Sequence, residues 1–333
     1  MSKPPSFWKA SDRSEFERNA LRARVEESLR KTALPVALRA TTREAFRLAR
    51  GLTPVEEECG ILVKRDDLYR VANVRGGKVR ACLSIATASS TVNGLVTAGH
   101  RHSPQVNIVA QVARLLGVPC RIHTPTGALL SEVASAVDAG ADLHQHAFGR
   151  GTLLVSRARA DANRLGWVEI PFGMEKASAV SGTAAQVESI VDAFESGRVE
   201  RIVMPAGSGM SVAGVLHGIE RFRLWERGLR SLLAVQVGPS PVRRVRAYAP
   251  PSFDSLLASG HVRFVPAPSP YEEEAPESHQ RPEGWTFRLD PHYEAKCAPF
   301  LRNGDLMWVV GVRQEIGAAN DAEREERLRP QAG

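Results

Sequence analysis

Arg201-Ile202-Val203-Met204-Pro205-Ala206-Gly207-Ser208-Gly209-Met210-Ser211-Val212-Ala213-Gly214 runs from a short apolar segment through a glycine turn into a helix-like stretch. Continuous apolar runs of this length are what a strand buried on both faces requires. A strand-to-helix turn leaves the first N–H groups of the helix free and aims the positive end of its dipole at the turn, so it can bind phosphate. About 130 residues upstream, Arg75-Gly76-Gly77-Lys78-Val79-Arg80 holds a lysine in a second glycine turn, just after Ile61-Leu62-Val63-Lys64-Arg65-Asp66-Asp67-Leu68. An amine kept unprotonated by burial or by a neighbouring cation can form a Schiff base with an aldehyde. Pyridoxal 5'-phosphate needs both features, an amine nucleophile and a phosphate cradle.

Two other readings of the glycine loop fail on spacing. Val212 stands where the third glycine of a dinucleotide fingerprint belongs, and the next apolar run, 232–237, ends in Gly238-Pro239-Ser240 without a ribose-binding acid. The Gly-Lys-Ser/Thr ending of a nucleotide-triphosphate loop is also missing. A nicotinamide cofactor and a nucleoside triphosphate are therefore not expected.

From Gly60 onward, strand-like and helical runs alternate: 94–98, 106–116, 120–123, 132–139 and 142–146. A second series has helix over 184–196, strand over 201–204, helix over 212–223 and strand over 232–237. This rhythm predicts an α/β fold with parallel sheets and helices on both faces. Two sheets with a cleft between them fit. Residues 6–50 are rich in arginine, alanine and glutamate, with Leu21, Val25 and Leu29 at helical spacing, and read as a basic helical N-terminal extension. The proline-rich stretch 240–284 reads as a long surface excursion, an active-site lid or an oligomer contact.

The ordered set Val63-Lys64-Arg65-Asp66-Asp67-Leu68, Gly76-Gly77-Lys78-Val79-Arg80, Gly207-Ser208-Gly209 and Leu289-Asp290-Pro291-His292-Tyr293-Glu294-Ala295-Lys296 resembles fold-type II pyridoxal-phosphate enzymes, in particular the aminocyclopropane-carboxylate deaminase and D-cysteine desulfhydrase group. The resemblance spans roughly residues 53 to 312. It implies a two-domain, tryptophan-synthase-beta-like architecture: a large domain of residues 51–80 plus 176–333, with residues 81–175 inserted as the smaller one. It places Lys78 as the Schiff-base lysine and Gly207, Ser208, Gly209, Met210 and Ser211 as the phosphate loop. Ser103 falls at a serine that touches substrate and takes part in proton transfer; Tyr293 falls near the substrate and Glu294 near the pyridine nitrogen.

The chain also departs from that family. Ser103-Pro104 replaces a Ser-Asn pair whose amide would meet the cofactor's 3'-oxygen, which leaves Gln105 or Asn107 as substitutes. Met307-Trp308-Val309-Val310-Gly311-Val312 lacks the hydroxyl that in the family often faces the ring nitrogen. No counterpart of the family's Gly-Tyr-Gly substrate loop precedes Leu289.

Composition fits a soluble enzyme: 333 residues with 43% hydrophobic and 24% charged side chains can bury a substantial core. No run of ~18 apolar residues is present to span a membrane. The N-terminus has no apolar stretch of secretory length, so a cytoplasmic location is expected. The four cysteines are scattered and read as reduced, mostly buried thiols. His100, His102, His123, His144 and His146 crowd one region without a metal-ligand spacing, so no metal is expected; His100 and His102, beside Ser103, are candidate substrate contacts. The net charge of +7 comes mostly from arginine. Interleaved acids and the lack of an aromatic stacking motif favour solvated helix faces over nucleic-acid binding.

The combined expectation is a pyridoxal-phosphate-dependent lyase or deaminase acting at Cα/Cβ of a small amino-acid-like amine, assembled as a homodimer. Two alternatives stand beside it. One is the same cofactor acting on an amino acid attached to a nucleic acid or carrier; the other is a non-catalytic scaffold of the same fold.

Overall fold

The computed structural model describes residues 51–328 apart from 90 and 148–150, together with residues 19–21, 23, 24, 26 and 27. The larger sheet contains β1 (Val55–Glu58), β2 (Ile61–Arg65), β9 (Arg201–Ala206), β10 (Ser231–Gln236), β11 (Val262–Pro266) and β12 (Asp305–Val309) in the order β1-β2-β12-β9-β10-β11. Only β1 runs antiparallel to its neighbour. The smaller sheet is wholly parallel, β7-β6-β5-β8, built from β5 (Leu95–Ala98), β6 (Cys120–Pro125), β7 (Ala141–His146) and β8 (Val168–Ile170). A short hairpin, β3 (Arg70–Val71) with β4 (Val74–Arg75), leads into the helix Gly77–Thr87.

Side-chain alternation explains the unbroken apolar runs. In β9, Ile202 and Met204 enter one core while Val203 enters the other; Leu232 and Ala234 separate from Leu233 and Val235 in the same way, as do Leu306 and Trp308 from Met307 and Val309. Both faces of the larger sheet are thus covered, and each strand residue needs an apolar side chain. The smaller sheet repeats the arrangement, with Leu95 and Ile122 facing one cluster and Val96 and Ala98 packing on Leu154, Ala158 and Ala162 of the helix Gly151–Leu165.

Two expectations from the sequence are corrected. The helix expected over 184–196 is broken into Ala177–Ala185, a 3-10 segment Gln186–Ile190, and Val191–Glu195. The break coincides with Gln186, whose buried amide donates to the Gly51 carbonyl and accepts from the Thr53 N–H. The excursion expected over 240–284 is largely structured: the helices Val242–Tyr248 and Phe253–Ala258 lead to β11, with Val245, Phe253 and Val262 buried. Its prolines sit where a missing N–H costs little, Pro241 before a helix and Pro266 at the end of an edge strand.

The helix Gly77–Thr87 runs through residue 80 and packs with the smaller sheet's core from Val79 to Ala86. A chain division at 80/81 therefore falls inside a helix. Most of the N-terminal extension, including Val25 and Leu29, lies outside the described residues; the described positions are helical, and Leu21 packs against the larger sheet's core. Among the described residues no helix is long and apolar enough to cross a membrane.

Candidate active site

Lys78 stands in the first turn of the helix Gly77–Thr87. That turn is clipped to the end of β12: the Gly77 N–H donates to the Val310 carbonyl at 2.6 Å, and a side chain at Gly76 would fall 2.8 Å from the Gly311 Cα. Two residues on, Arg80 donates to the Asp66 carboxylate at 3.0 Å, which also accepts from Trp308 Nε1 at 3.0 Å and from Thr53 Oγ1 at 2.5 Å. All four residues are buried. The lysine's helix is thereby tied to both β2 and β12, because a carboxylate buried beside a guanidinium is held firmly in place.

Burial pushes the Lys78 amine below its usual pKa, and the Arg313 cation adds to the effect against the opposing charges of Glu294, Asp290 and Glu132. A larger share of neutral amine makes it a better nucleophile. Lys64 shows why a depressed pKa does not by itself make a site. Burial lowers it to about 8, yet its Nζ is spent on the Thr53 carbonyl and Gln186, and it does not line the cleft. Lys296 Nζ is likewise given to the carbonyls of Ser269 and Pro270.

In the other glycine turn, β9 ends at Ala206 and the helix Met210–Arg221 begins after Gly207, Ser208 and Gly209. Gly209 is the N-cap with φ +82°, a left-handed conformation that suits glycine. The walls here are tight as well: a Cβ on Gly209 would stand 2.4 Å from Val245 Cγ2, and one on Gly207 would stand 1.8 Å from the Tyr293 hydroxyl. Arg244 Nη1 donates to the Ser208 carbonyl at 3.1 Å and steadies the loop from outside. Gly214, further along this helix, serves packing: a Cβ there would collide with Thr183 on the neighbouring helix.

Lys78, Gly207, Ser208, Gly209, Met210, Ser211 and Tyr293 all line one open cleft. Small or apolar residues complete it, among them Gly77, Ala81, Ala179 and Val310. Helix N-terminal N–H groups, a lysine amine of depressed pKa and small side chains lining one cleft fit a phosphorylated aldehyde such as pyridoxal 5'-phosphate. Burial also drives the Tyr293 phenol far up in pKa, so its proton stays on oxygen. Glu294 follows Tyr293 in the chain but does not line the cleft; its carboxyl is raised by burial and by Asp290 and accepts the Gly311 N–H at 3.0 Å.

The remaining candidates stand elsewhere. Ser103 lies in the turn before the helix Gln105–Leu116, and its Oγ accepts the Gln105 N–H at 3.3 Å. The Gln105 amide is fully engaged, donating to Thr97 and to the Ala98 and Pro171 carbonyls and accepting from the Gly173 N–H. Asn107 donates to Glu132 at 3.0 Å. None of the three lines the cleft, so neither Gln105 nor Asn107 presents an amide to it. His123 and His146 bond to one another at 2.9 Å, His144 bonds to Asp142, and no metal-holding group of ligands occurs among the described residues. Asp66, Arg80, Glu132 and Arg313 received no role from the sequence. The first two stood within the motifs around Lys64 and Lys78, where the signal for them was a charge set inside an otherwise apolar or glycine-rich run.

No family model matches this sequence, and no curated protein matches it. Solved structures are similar in fold. A homologue of ACC deaminase superposes with TM-score 0.64 at 18% identity, covering 86% of this chain and 99% of that one. A threonine deaminase from T.th. gives 0.58 at 17%, covering 81% and 96%. Diaminopropionate ammonia lyase of Escherichia coli, in complex with an aminoacrylate-PLP azomethine reaction intermediate, gives 0.57 at 14%, covering 88% and 95%. The parallel two-sheet architecture of this chain is thus that of the fold-type II pyridoxal-phosphate enzymes.

Proposed function

We propose that the protein is a pyridoxal-phosphate-dependent enzyme of the lyase or deaminase kind, acting at Cα/Cβ of an amino-acid-like amine with the cofactor attached to Lys78. The observation that carries this reading is a single cleft lined both by a lysine of depressed pKa and by the N-terminus of the helix Met210–Arg221. The loop Gly207 to Ser211 would hold the phosphate through backbone N–H groups and the Ser208 and Ser211 hydroxyls. When bound, the cofactor supplies an electron sink for a bond broken at Cα.

The chain's own residues divide the remaining work. Lys78 Nζ, held by the clipped helix and low in pKa, is placed to take or return the Cα proton. Tyr293 keeps its phenolic proton and so acts as a hydrogen-bond donor toward a leaving group. Glu294, buried next to Tyr293 in the chain, opposes the depression of the lysine when it is ionised, and burial favours its neutral form. In this proposal residues 51–80 with 176–333 form the cofactor-binding domain and residues 81–175 the smaller domain that closes the cleft.

The test is to mix purified protein with pyridoxal 5'-phosphate, reduce with borohydride and map the labelled peptide. The label is expected on Lys78, and Lys78→Ala loses both the label and the visible band. A label on Lys64, Lys176 or Lys296 overturns the assignment.

A further inference from the structure

The crossover from β8 to the helix Ala177–Ala185 passes along the glycine loop as a short strap, residues 171–176. Two consecutive residues of the strap are left-handed, Gly173 at φ +70° and Met174 at φ +58°, and both line the cleft. Glycine adopts that region freely, whereas a buried methionine there is strained and stays only where its surroundings hold it. The strap leaves no room at the loop: a Cβ on Gly173 would stand 2.9 Å from the Ser208 Cβ and 3.6 Å from its Oγ. Ser208 thus touches the strap while its Oγ accepts the Met210 N–H at 3.5 Å, at the start of the helix Met210–Arg221.

Two anchors hold the strap. From the smaller sheet's side, the buried Gln105 side chain grips it with both ends of one amide: Oε1 accepts the Gly173 N–H at 2.9 Å and Nε2 donates to the Pro171 carbonyl at 3.0 Å. Because one backbone partner is a donor and the other an acceptor, the strap fixes which way the amide faces. Nε2 also donates to Thr97 Oγ1 at 2.9 Å, and Thr97 donates to the Ile170 carbonyl at 2.8 Å, so the grip is rooted in β5 and β8. From the larger sheet's side, the Tyr248 hydroxyl donates to the Glu175 carbonyl at 3.2 Å, and Arg244 meets both the Glu175 carboxylate at 3.2 Å and the Ser208 carbonyl at 3.1 Å. Arg244 and Glu175 are partly exposed, where water competes with such a pair; Gln105 is buried, so its grip has no such competitor.

We propose that Gln105 is a positioning residue for phosphate binding: from outside the cleft it holds the strained Gly173–Met174 turn against Ser208, and so sets where the Ser208 hydroxyl and the neighbouring helix N–H groups meet an anion. This rests on the reading of Gly207 to Ser211 as the phosphate cradle. Without the amide, the Gly173 N–H and the Pro171 carbonyl lose the partner that sets their positions, and Met174 gains by leaving its left-handed conformation. Both changes move the strap off Ser208. None of the Gln105 hydrogen bonds reaches the turn that carries Lys78, so the effect falls on the phosphate of a ligand and not on its aldehyde.

The probes are inorganic phosphate, pyridoxal 5'-phosphate and phosphate-free pyridoxal. Phosphate binding is read as a shift of the thermal midpoint, and the two aldehydes are read by titration of the visible band with borohydride labelling. Gln105→Met keeps the length of the side chain and removes its grip. It is expected to weaken phosphate and pyridoxal 5'-phosphate roughly tenfold, the scale of one charge-assisted hydrogen bond, while pyridoxal stays within about twofold. A role confined to packing would lower the midpoint and leave the ratio of pyridoxal 5'-phosphate to pyridoxal affinity unchanged. Gln105→Asn draws the amide back by one methylene; it is expected to lower the same ratio about threefold or more, and it carries the test if Gln105→Met does not fold. A folded variant with the wild-type ratio overturns the positioning role, as does an equal loss of all three probes. Labelling at Lys78 together with phosphate affinity that ignores Gln105 overturns this inference and leaves the cofactor reading standing. Phosphate binding that depends on Gln105, without any visible band, supports the inference and counts against the cofactor reading; a wild-type protein that binds none of the probes overturns both.

Discussion

Replacing Gly207 by alanine tests the contact that brings the glycine loop and the Tyr293 segment together. The added methyl would stand 1.8 Å from the Tyr293 oxygen, against the 3.4 Å at which ordinary contact begins, so the phenol must retreat by about 1.6 Å. The ring carbons next in line stand at 2.9 and 3.3 Å, so trimming the hydroxyl removes the worst contact while the ring must still give by a few tenths of an ångström. Gly207, unlike Gly209, has no left-handed φ, so backbone strain adds nothing to the comparison. Overpacking of this size costs about 1–3 kcal/mol. Gly207→Ala is therefore expected to destabilise the cofactor-free protein by that amount in urea unfolding. Tyr293→Phe made in the same background is expected to return about 1 kcal/mol or more, because residues in contact couple on that scale. The assay is a double-mutant cycle on denaturation midpoints, with cofactor titration on the same four proteins. Strict additivity, within about 0.5 kcal/mol, would show that Tyr293 does not lie over Gly207 and would remove the tyrosine from the cleft.

Gly209→Val should weaken cofactor binding and also lower stability by about 2–5 kcal/mol, since it combines a left-handed φ at a β-branched residue with a 2.4 Å approach to Val245; a Val245→Ala background that leaves both losses unchanged would show that the Val245 contact is not what limits this site. Ser103→Ala should cost about 1 kcal/mol through the lost Gln105 N–H contact; turnover per folded molecule separates that turn role from the catalytic one, which calls for a fall of roughly 100-fold. Burial holds the His123 imidazole down to about 4, so the folded protein binds fewer protons than the unfolded chain, and stability should be complete above about pH 6.5 and fall as pH drops toward 4. Its share is at most about 3 kcal/mol, and His123→Gln should flatten that part of the pH-stability curve.

Much of the fold was legible because buried parallel strands write themselves as apolar runs. The runs at 201–204, 232–237 and 120–123 each became a strand, and the helices expected at 106–116 and 132–139 formed within a residue of their expected limits. Where a side chain's long-range partner overrode local preference, the reading failed. Gln186 broke a helix through contacts to Gly51 and Thr53, more than 130 residues away in the chain, and the prolines of 240–266 masked two helices and an edge strand by standing at their ends.

The site divides along the same line. Local chemistry alone marked Lys78 and the loop Gly207 to Ser211 as candidates, because a glycine turn around a lysine and a glycine turn before a helix are each readable within a few residues. Sequence could not show that Gln105 is spent on holding the Gly173 turn or that Asn107 is spent on Glu132, since an amide's availability depends on partners brought by other strands. Nor could it show that Lys64, which lacks a glycine turn, is also buried with its pKa lowered to about 8. Only the tertiary structure decides that Lys64 faces Thr53 and Gln186 while Lys78 lines the cleft, and that the charges of Glu132 and Arg313, 181 positions apart in the chain, both act on that one lysine. The physical reason is that nucleophilicity and charge recognition belong to an environment, and this environment is assembled by two sheets whose contributing segments are scattered from Asp66 to Arg313.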